Sequence, residues 1–149
     1  NHPQLPTRLT DGKGVHTDFT YAASPRTGLP LTRTDAAGNA LERTTTWQYG
    51  DASFPAFPTR IEVPSTDTGT RRTDLAYDGD GNPIQRTEIG REAGSGFSLL
   101  TTTSFNAAGQ PTAIDPPGYG SNDVTSFTYD ATRGDLLPLT RGDPEIGTT

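Results

Sequence analysis

An all-β chain, built of tandem β-hairpins in one long meandering antiparallel sheet, is predicted by three observations. Apolar residues are sparse and nowhere take the helical spacing i, i+3, i+4, i+7. Short β-branched and aromatic runs are punctuated by 17 Gly and 13 Pro, the residues that turn a chain. An aromatic pair also recurs at nearly fixed spacing, and such a period marks a repeat architecture.

The pairs are Phe19-x-Tyr21, Trp47-x-Tyr49, Leu75-x-Tyr77, Thr103-x-Phe105 and Phe127-x-Tyr129, with second members 28, 28, 28 and 24 positions apart. Residues two apart on a strand point to one face, so each pair marks a face expected to be buried. A turn follows each pair, and then a proline (Pro30, Pro58, Pro83, Pro111 or Pro138) nine or six residues beyond the aromatic. Proline at the start of the return strand is tolerated because its missing N–H falls outside the ladder. The cleanest of these turns end in Gly81-Asn82 and Gly109-Gln110, where glycine takes positive φ at little cost.

Four or five residues after each proline stands an acid: Asp35, Glu62, Glu88, Asp115 and Asp143. These acids are expected to open a second set of turns, as in "TDGKG" (10–14), "TDAAGN" (34–39, with Gly38-Asn39) and "IDPPG" (114–118, with Asp115 and Gly118). A partial copy, Pro6 to Asp11, opens the chain. About five repeats plus that partial one therefore fill residues 1–149, giving ten or eleven short strands that depend on their neighbours for burial.

The segments "YDGDGNPIQRTE" (77–88), "FNAAGQPTAIDPPG" (105–118), "YDATRGDLLPLTRGDP" (129–144) and "PLTRTDAAGNALERTTTWQY" (30–49) resemble the Rhs or YD-repeat family. That family includes bacterial Rhs toxins, the B and C components of insecticidal Tc toxins, and animal teneurins. The resemblance implies a segment of a spiralling β-sheet shell that encloses a C-terminal toxin or cargo domain of a secreted or surface bacterial protein. It implies a non-catalytic role, with the rest of the chain and the enclosed domain as partners. The chain departs from the pattern at Tyr21-Ala22 and Tyr49-Gly50, where longer loops are expected. "PTAIDPPGY" (111–119) superficially resembles a cleavage segment found near the end of some such shells, but Asp-Pro-x-Gly is the ordinary inter-strand turn of the repeat and no second copy follows at a protease-like distance, so it reads as that turn.

Composition excludes several functions. Only 30% of residues are hydrophobic, against ~45–50% in globular domains, so any core is lean. A net charge of −6 with no run of Lys or Arg argues against nucleic acid. Without cysteine there is neither a disulfide nor a thiolate chemistry. No apolar stretch reaches the ~18 residues of a membrane span, and the start without Met reads as an excerpt of something longer.

Asp78, Asp80 and Asn82 hold the first, third and fifth places of a calcium loop, but Pro83 and Ile89 occupy its sixth and twelfth, so no metal or cofactor is expected. Two Arg-Gly-Asp tripeptides (133–135 and 141–143) fall where the repeat already calls for Gly or an acid. His2 and His16 have no G-x-S-x-G serine to serve, so no catalytic residue is expected. "GSG" (94–96) reads as linker. The alternative function is a carbohydrate- or receptor-binding β module, for which Tyr119, lying off the repeat register, is the surface candidate.

Overall fold

The computed structural model describes residues 5–23, 28–65, 69–118, 123–138 and 140–141. It is all-β, and its strands are β1 (Arg8–Thr10), β2 (His16–Tyr21), β3 (Pro30–Asp35), β4 (Arg43–Gln48), β5 (Arg60–Pro64), β6 (Thr70–Tyr77), β7 (Pro83–Glu92), β8 (Ser95–Phe105), β9 (Pro111–Asp115), β10 (Thr125–Ser126) and β11 (Thr140–Arg141). Strand order follows chain order from β1 to β11, the meander expected of consecutive hairpins. The chain divides into two compact units, Asn1–Asp74 with Ile89–Phe97, and Leu75–Glu88 with Ser98–Thr149.

In the first unit, antiparallel registers fix which side chains share a face. Phe19 opposes Arg33, which opposes Thr45, and Trp47 opposes Ile61, which opposes Thr73. That face mixes aromatic and aliphatic groups with Arg33, Arg43 and Arg71. The other face is polar. On it Thr20, Thr32 and Thr46 run across three strands, with hydroxyls paired at 2.6 Å (Thr20 to Thr32) and 2.9 Å (Thr34 to Thr44). Ion pairs Arg8–Asp18 and Arg60–Asp74 cross neighbouring strands at 2.6 and 2.7 Å. Being exposed or nearly so, such pairs are screened by solvent, so they favour one register more than they stabilise the sheet.

The second unit carries the β8–β9 ladder, in which Thr103 opposes Ile114, and the short β9–β10 ladder, in which Ile114 opposes Thr125. Its last hairpin closes through an isolated bridge between Tyr129 and Leu136.

In each unit a ladder among the described residues slips beside a proline. Tyr21 pairs Pro30 with a bulge at Thr20/Tyr21, and Phe105 pairs Pro111 with a bulge at Ser104/Phe105. Proline has no N–H to complete the rung, so the extra residue is accommodated there.

Two expectations are corrected by the fold. Among the described residues no apolar side chain is fully buried, so the aromatic face is half-covered where a buried one was expected. The reason is that the strands form sheet alone, leaving lateral neighbours on the same face as the cover. "GSG" is no linker either. Ala93 (φ 48°) and Gly94 (φ 81°) make a two-residue turn of positive φ between β7 and β8, and Ser95 and Gly96 already lie in β8. Near that turn the Phe97 ring lies against Gly90, where a Cβ would stand 2.8 Å from Cζ, and Arg71 caps the ring at 5.6 Å from its centroid.

Candidate functional site

The positions singled out by the repeat fall into two constructions, a five-residue loop and a tyrosine tie. In the loop at 78–82, Asp78 N–H donates to the Asn82 carbonyl at 3.0 Å and Gly81 N–H donates back to the Asp78 carbonyl at 3.2 Å. The loop at 106–110 repeats this, with Asn106 bonded to Gln110 at 2.9 Å and Gly109 bonded to Asn106 at 2.9 Å. Asp11, Gly14 and Val15 repeat it again at 2.9 and 3.0 Å, in a turn of the second set. The glycines Gly14, Gly81 and Gly109 have φ of 79°, 86° and 74°, the left-handed position that closes such a loop.

The first side chain of each loop braces it from inside. Asp78 Oδ1 accepts from the Asp80 and Asn82 N–H groups at 3.0 and 2.9 Å, and Oδ2 accepts from the Asn82 amide at 3.0 Å. Asn106 Oδ1 accepts from Ala108 and Gln110, both at 3.0 Å, and Asp11 Oδ1 from Lys13 and Val15 at 2.8 and 2.9 Å. The Asn82 amide, followed by the loop N–H groups, holds the Asp78 carboxyl below the usual carboxylate range. A calcium loop would need those oxygens to converge on an ion. Here they face backbone, and among the described residues no group of three or more His, Asp or Glu gathers as a metal site.

The second construction was not foreseen. The Tyr21 hydroxyl donates to the Pro6 carbonyl at 3.0 Å, the Tyr49 hydroxyl to Pro30 at 2.9 Å, and the Tyr129 hydroxyl to Pro111 at 2.8 Å. Each tyrosine thus reaches back to the proline of the preceding copy. Partial burial of Tyr49 pushes its hydroxyl pKa up, so the donor proton stays in place. The signal was present in the sequence as the coupled occurrence of Tyr and Pro, but an aromatic at a repeat position reads first as an apolar group. Phe105 occupies the same repeat position without a hydroxyl.

The remaining candidates are placed as follows. Phe19 stacks on Tyr21 at 6.4 Å, and Trp47 lies in β4 opposite Ile61. Leu75 and Tyr77 end β6, and Phe127 N–H donates to Thr112 O at 2.9 Å beside β10. Gly38 (φ 82°) and Asn39 sit in the β3–β4 turn, so they belong to the second set of turns, away from the loops that follow the aromatics. In that turn Asn39 Oδ1 accepts from Leu41 at 2.8 Å, while Asp35, expected to brace it, instead meets Arg33 at 2.8 Å. Asp115 closes β9, Gly118 follows with φ 143°, and Tyr119 lies outside the described residues.

The motifs with sharper readings are likewise absorbed by local structure. Arg133 pairs with Asp135 of its own Arg-Gly-Asp at 3.2 Å, folding the tripeptide on itself. Positions 142 and 143 of the second tripeptide, like His2, lie outside the described residues. His16 Nδ1 is 2.9 Å from the Thr10 hydroxyl across the β1–β2 ladder.

In the second unit an open pocket of about 380 Å³ is lined by Asn106, Gln110, Tyr129, Asp130 and Gly134, among others. Several of its polar groups already have partners. The Gln110 amide donates to Gly134 O at 2.9 Å, Asp130 Oδ1 accepts from Thr132 and Arg133 at 3.0 and 2.8 Å, and Tyr129 holds Pro111. Among the described residues no helix is long and apolar enough to cross a membrane. No protein-family model matches the sequence, and no curated protein matches it.

Proposed function

We propose that this chain is a non-catalytic wall segment of a YD-repeat shell, a strip of β-sheet that helps to enclose a C-terminal toxin or cargo domain of a secreted or surface-exposed bacterial protein. The observation that supports this reading most directly is the use made of the repeat positions. Asp78, Asn106 and Asp130 brace loops, and Tyr21, Tyr49 and Tyr129 tie each copy to the one before. Such side chains build a sheet rather than a reaction site. The lack of any fully buried apolar side chain among the described residues also suits a wall, which needs no interior of its own.

Limited proteolysis of a longer parent chain tests the proposal. The wall reading expects the downstream domain to resist protease until the shell is opened by denaturant. Digestion of that domain at the rate of its isolated form would count against enclosure.

One observation favours a second reading, a carbohydrate- or receptor-binding module. Arg33, Arg43 and Arg71 share the half-open face with Phe19, Trp47 and Phe97, a mixture of flat rings and donors that suits sugars. Saturable glycan binding by this chain alone, lost on Trp47→Ala, would favour the module over the wall.

A further inference from the structure

Asp-Gly pairs occur at 11–12, 78–79 and 80–81. In such a pair the following backbone nitrogen approaches the side-chain carboxyl carbon with no Cβ in the way. The fold treats the three pairs differently. Asp11 Oδ1 accepts from Lys13 and Val15 N–H at 2.8 and 2.9 Å, and both oxygens of Asp78 are engaged by Asp80 and Asn82. Those two carboxylates are fixed toward amides further along the loop, away from the glycine nitrogen beside each. Holding Asp78 ionised also keeps its carboxyl carbon a poor electrophile.

Asp80 stands exposed at the tip of the same loop. Its N–H is tied to Asp78, but its carboxylate makes no hydrogen bond or ion pair within the described residues. The side chain is therefore free to sweep its rotamers toward Gly81 N. That nitrogen is held at 3.2 Å by the Asp78 carbonyl, the longer of the two backbone bonds closing the loop.

We propose that Asp80-Gly81 is a self-modification site at which the chain converts Asp80 to isoaspartate. The Gly81 nitrogen attacks Asp80 Cγ, and the new N–Cγ bond closes a succinimide. The Asp80 carboxylate first takes a proton from solvent, and its hydroxyl then leaves as water together with the amide proton. Solvent water then opens the ring, and when it breaks the bond between the nitrogen and the Asp80 α-carbonyl carbon, the chain continues through the side-chain carboxyl. One water is lost and one regained, with no redox change.

The product inserts a methylene into the main chain of a loop whose five-residue length sets the Asp78–Asn82 pairing. Conversion should therefore loosen the β6–β7 connection while leaving the Asp11 loop intact. This inference is independent of the enclosure reading.

The test is to age the full chain at physiological temperature and neutral pH, digest it, and distinguish aspartate from isoaspartate at each pair by electron-transfer fragmentation. A parallel sample is aged in denaturant. The expected result is isoaspartate accumulating several-fold faster at Asp80 than at Asp11 or Asp78 in the folded chain, with that preference collapsing in denaturant. In Asp80→Glu, which cannot close a five-membered ring, the signal at this pair should vanish with the fold retained. Equal rates at the three pairs in the folded chain, or one ranking in both solvents, would overturn the proposal.

Discussion

The copy that begins at Tyr49 and the copy that begins at Tyr77 span the same 28 residues yet distribute them differently. After Tyr49 the chain spends its length on the connection between β4 and β5, where Asp51 Oδ1 accepts from Ser53 and Phe54, and Phe54 stacks on Phe57 at 5.4 Å. The strands that follow it, β5 and β6, are 5 and 8 residues long. After Tyr77 the loop is the five-residue Asp78–Asn82 form, and the strands that follow are 10 and 11 residues long. Loop and strand lengths trade against each other. The spacing of the aromatic positions is the same in both copies, and the material between them becomes either turn or sheet.

If the short loop is the more strongly determined of the two forms, substitutions there should cost more than in the long one. The largest effect is expected from Gly109→Val. A β-branched residue at φ 74° costs about 2 kcal/mol, and its Cβ would also stand 3.4 Å from Asn82 Oδ1. Chemical denaturation should show the drop, and a change under ~0.5 kcal/mol would mean that the loop tolerates other turn geometries.

Next come the bracing acids. Asp78→Ala removes three hydrogen bonds from a five-residue loop and should lower the denaturation midpoint clearly further than Asp51→Ala, which removes two from the long loop. Equal losses would erase the distinction between the two loops.

The tyrosine ties sharpen the comparison across copies. Tyr49→Phe should lose about 1 kcal/mol, the net worth of one hydrogen bond. Phe105→Tyr should gain a few tenths to ~1 kcal/mol if its hydroxyl finds the proline carbonyl that the other copies use. Loss of stability in both variants would show that the tie is peculiar to its own copy.

The smallest effect is on acid titration. The Asp78 pKa lies below its unfolded value of ~3.9, so its contribution is complete above that pH and disappears as pH falls through the lowered folded value. The equivalent loop position at 106 carries uncharged Asn. Asp78→Asn should therefore flatten part of the acid limb of the stability curve, and an unchanged limb would place the acid sensitivity elsewhere, such as at Asp18 beside Arg8.

Much of this was legible in the residues. Gly81-Asn82 and Gly109-Gln110 announced their loops because only a positive-φ residue closes a turn of that length. The alternation in "DFTY" and "TTWQY" gave strands whose odd and even residues part to opposite faces. How deeply Phe19 or Trp47 is buried was not legible, because alternation says which face a ring is on and nothing about what covers it. Asp35 was misassigned because Arg33, two residues away on the same face, offers its carboxylate a better partner than the turn does. Gly94 was misread because two positive-φ residues between long strands resemble a flexible joint until their pairing is known.

Electron microscopy of a longer parent chain tests the central claim most directly. A wall segment requires a closed hollow shell one β-sheet thick, with density inside and this stretch traceable within the wall. A solid particle, or an open rod with nothing enclosed, would contradict it and direct attention to ligand binding on the aromatic and arginine face.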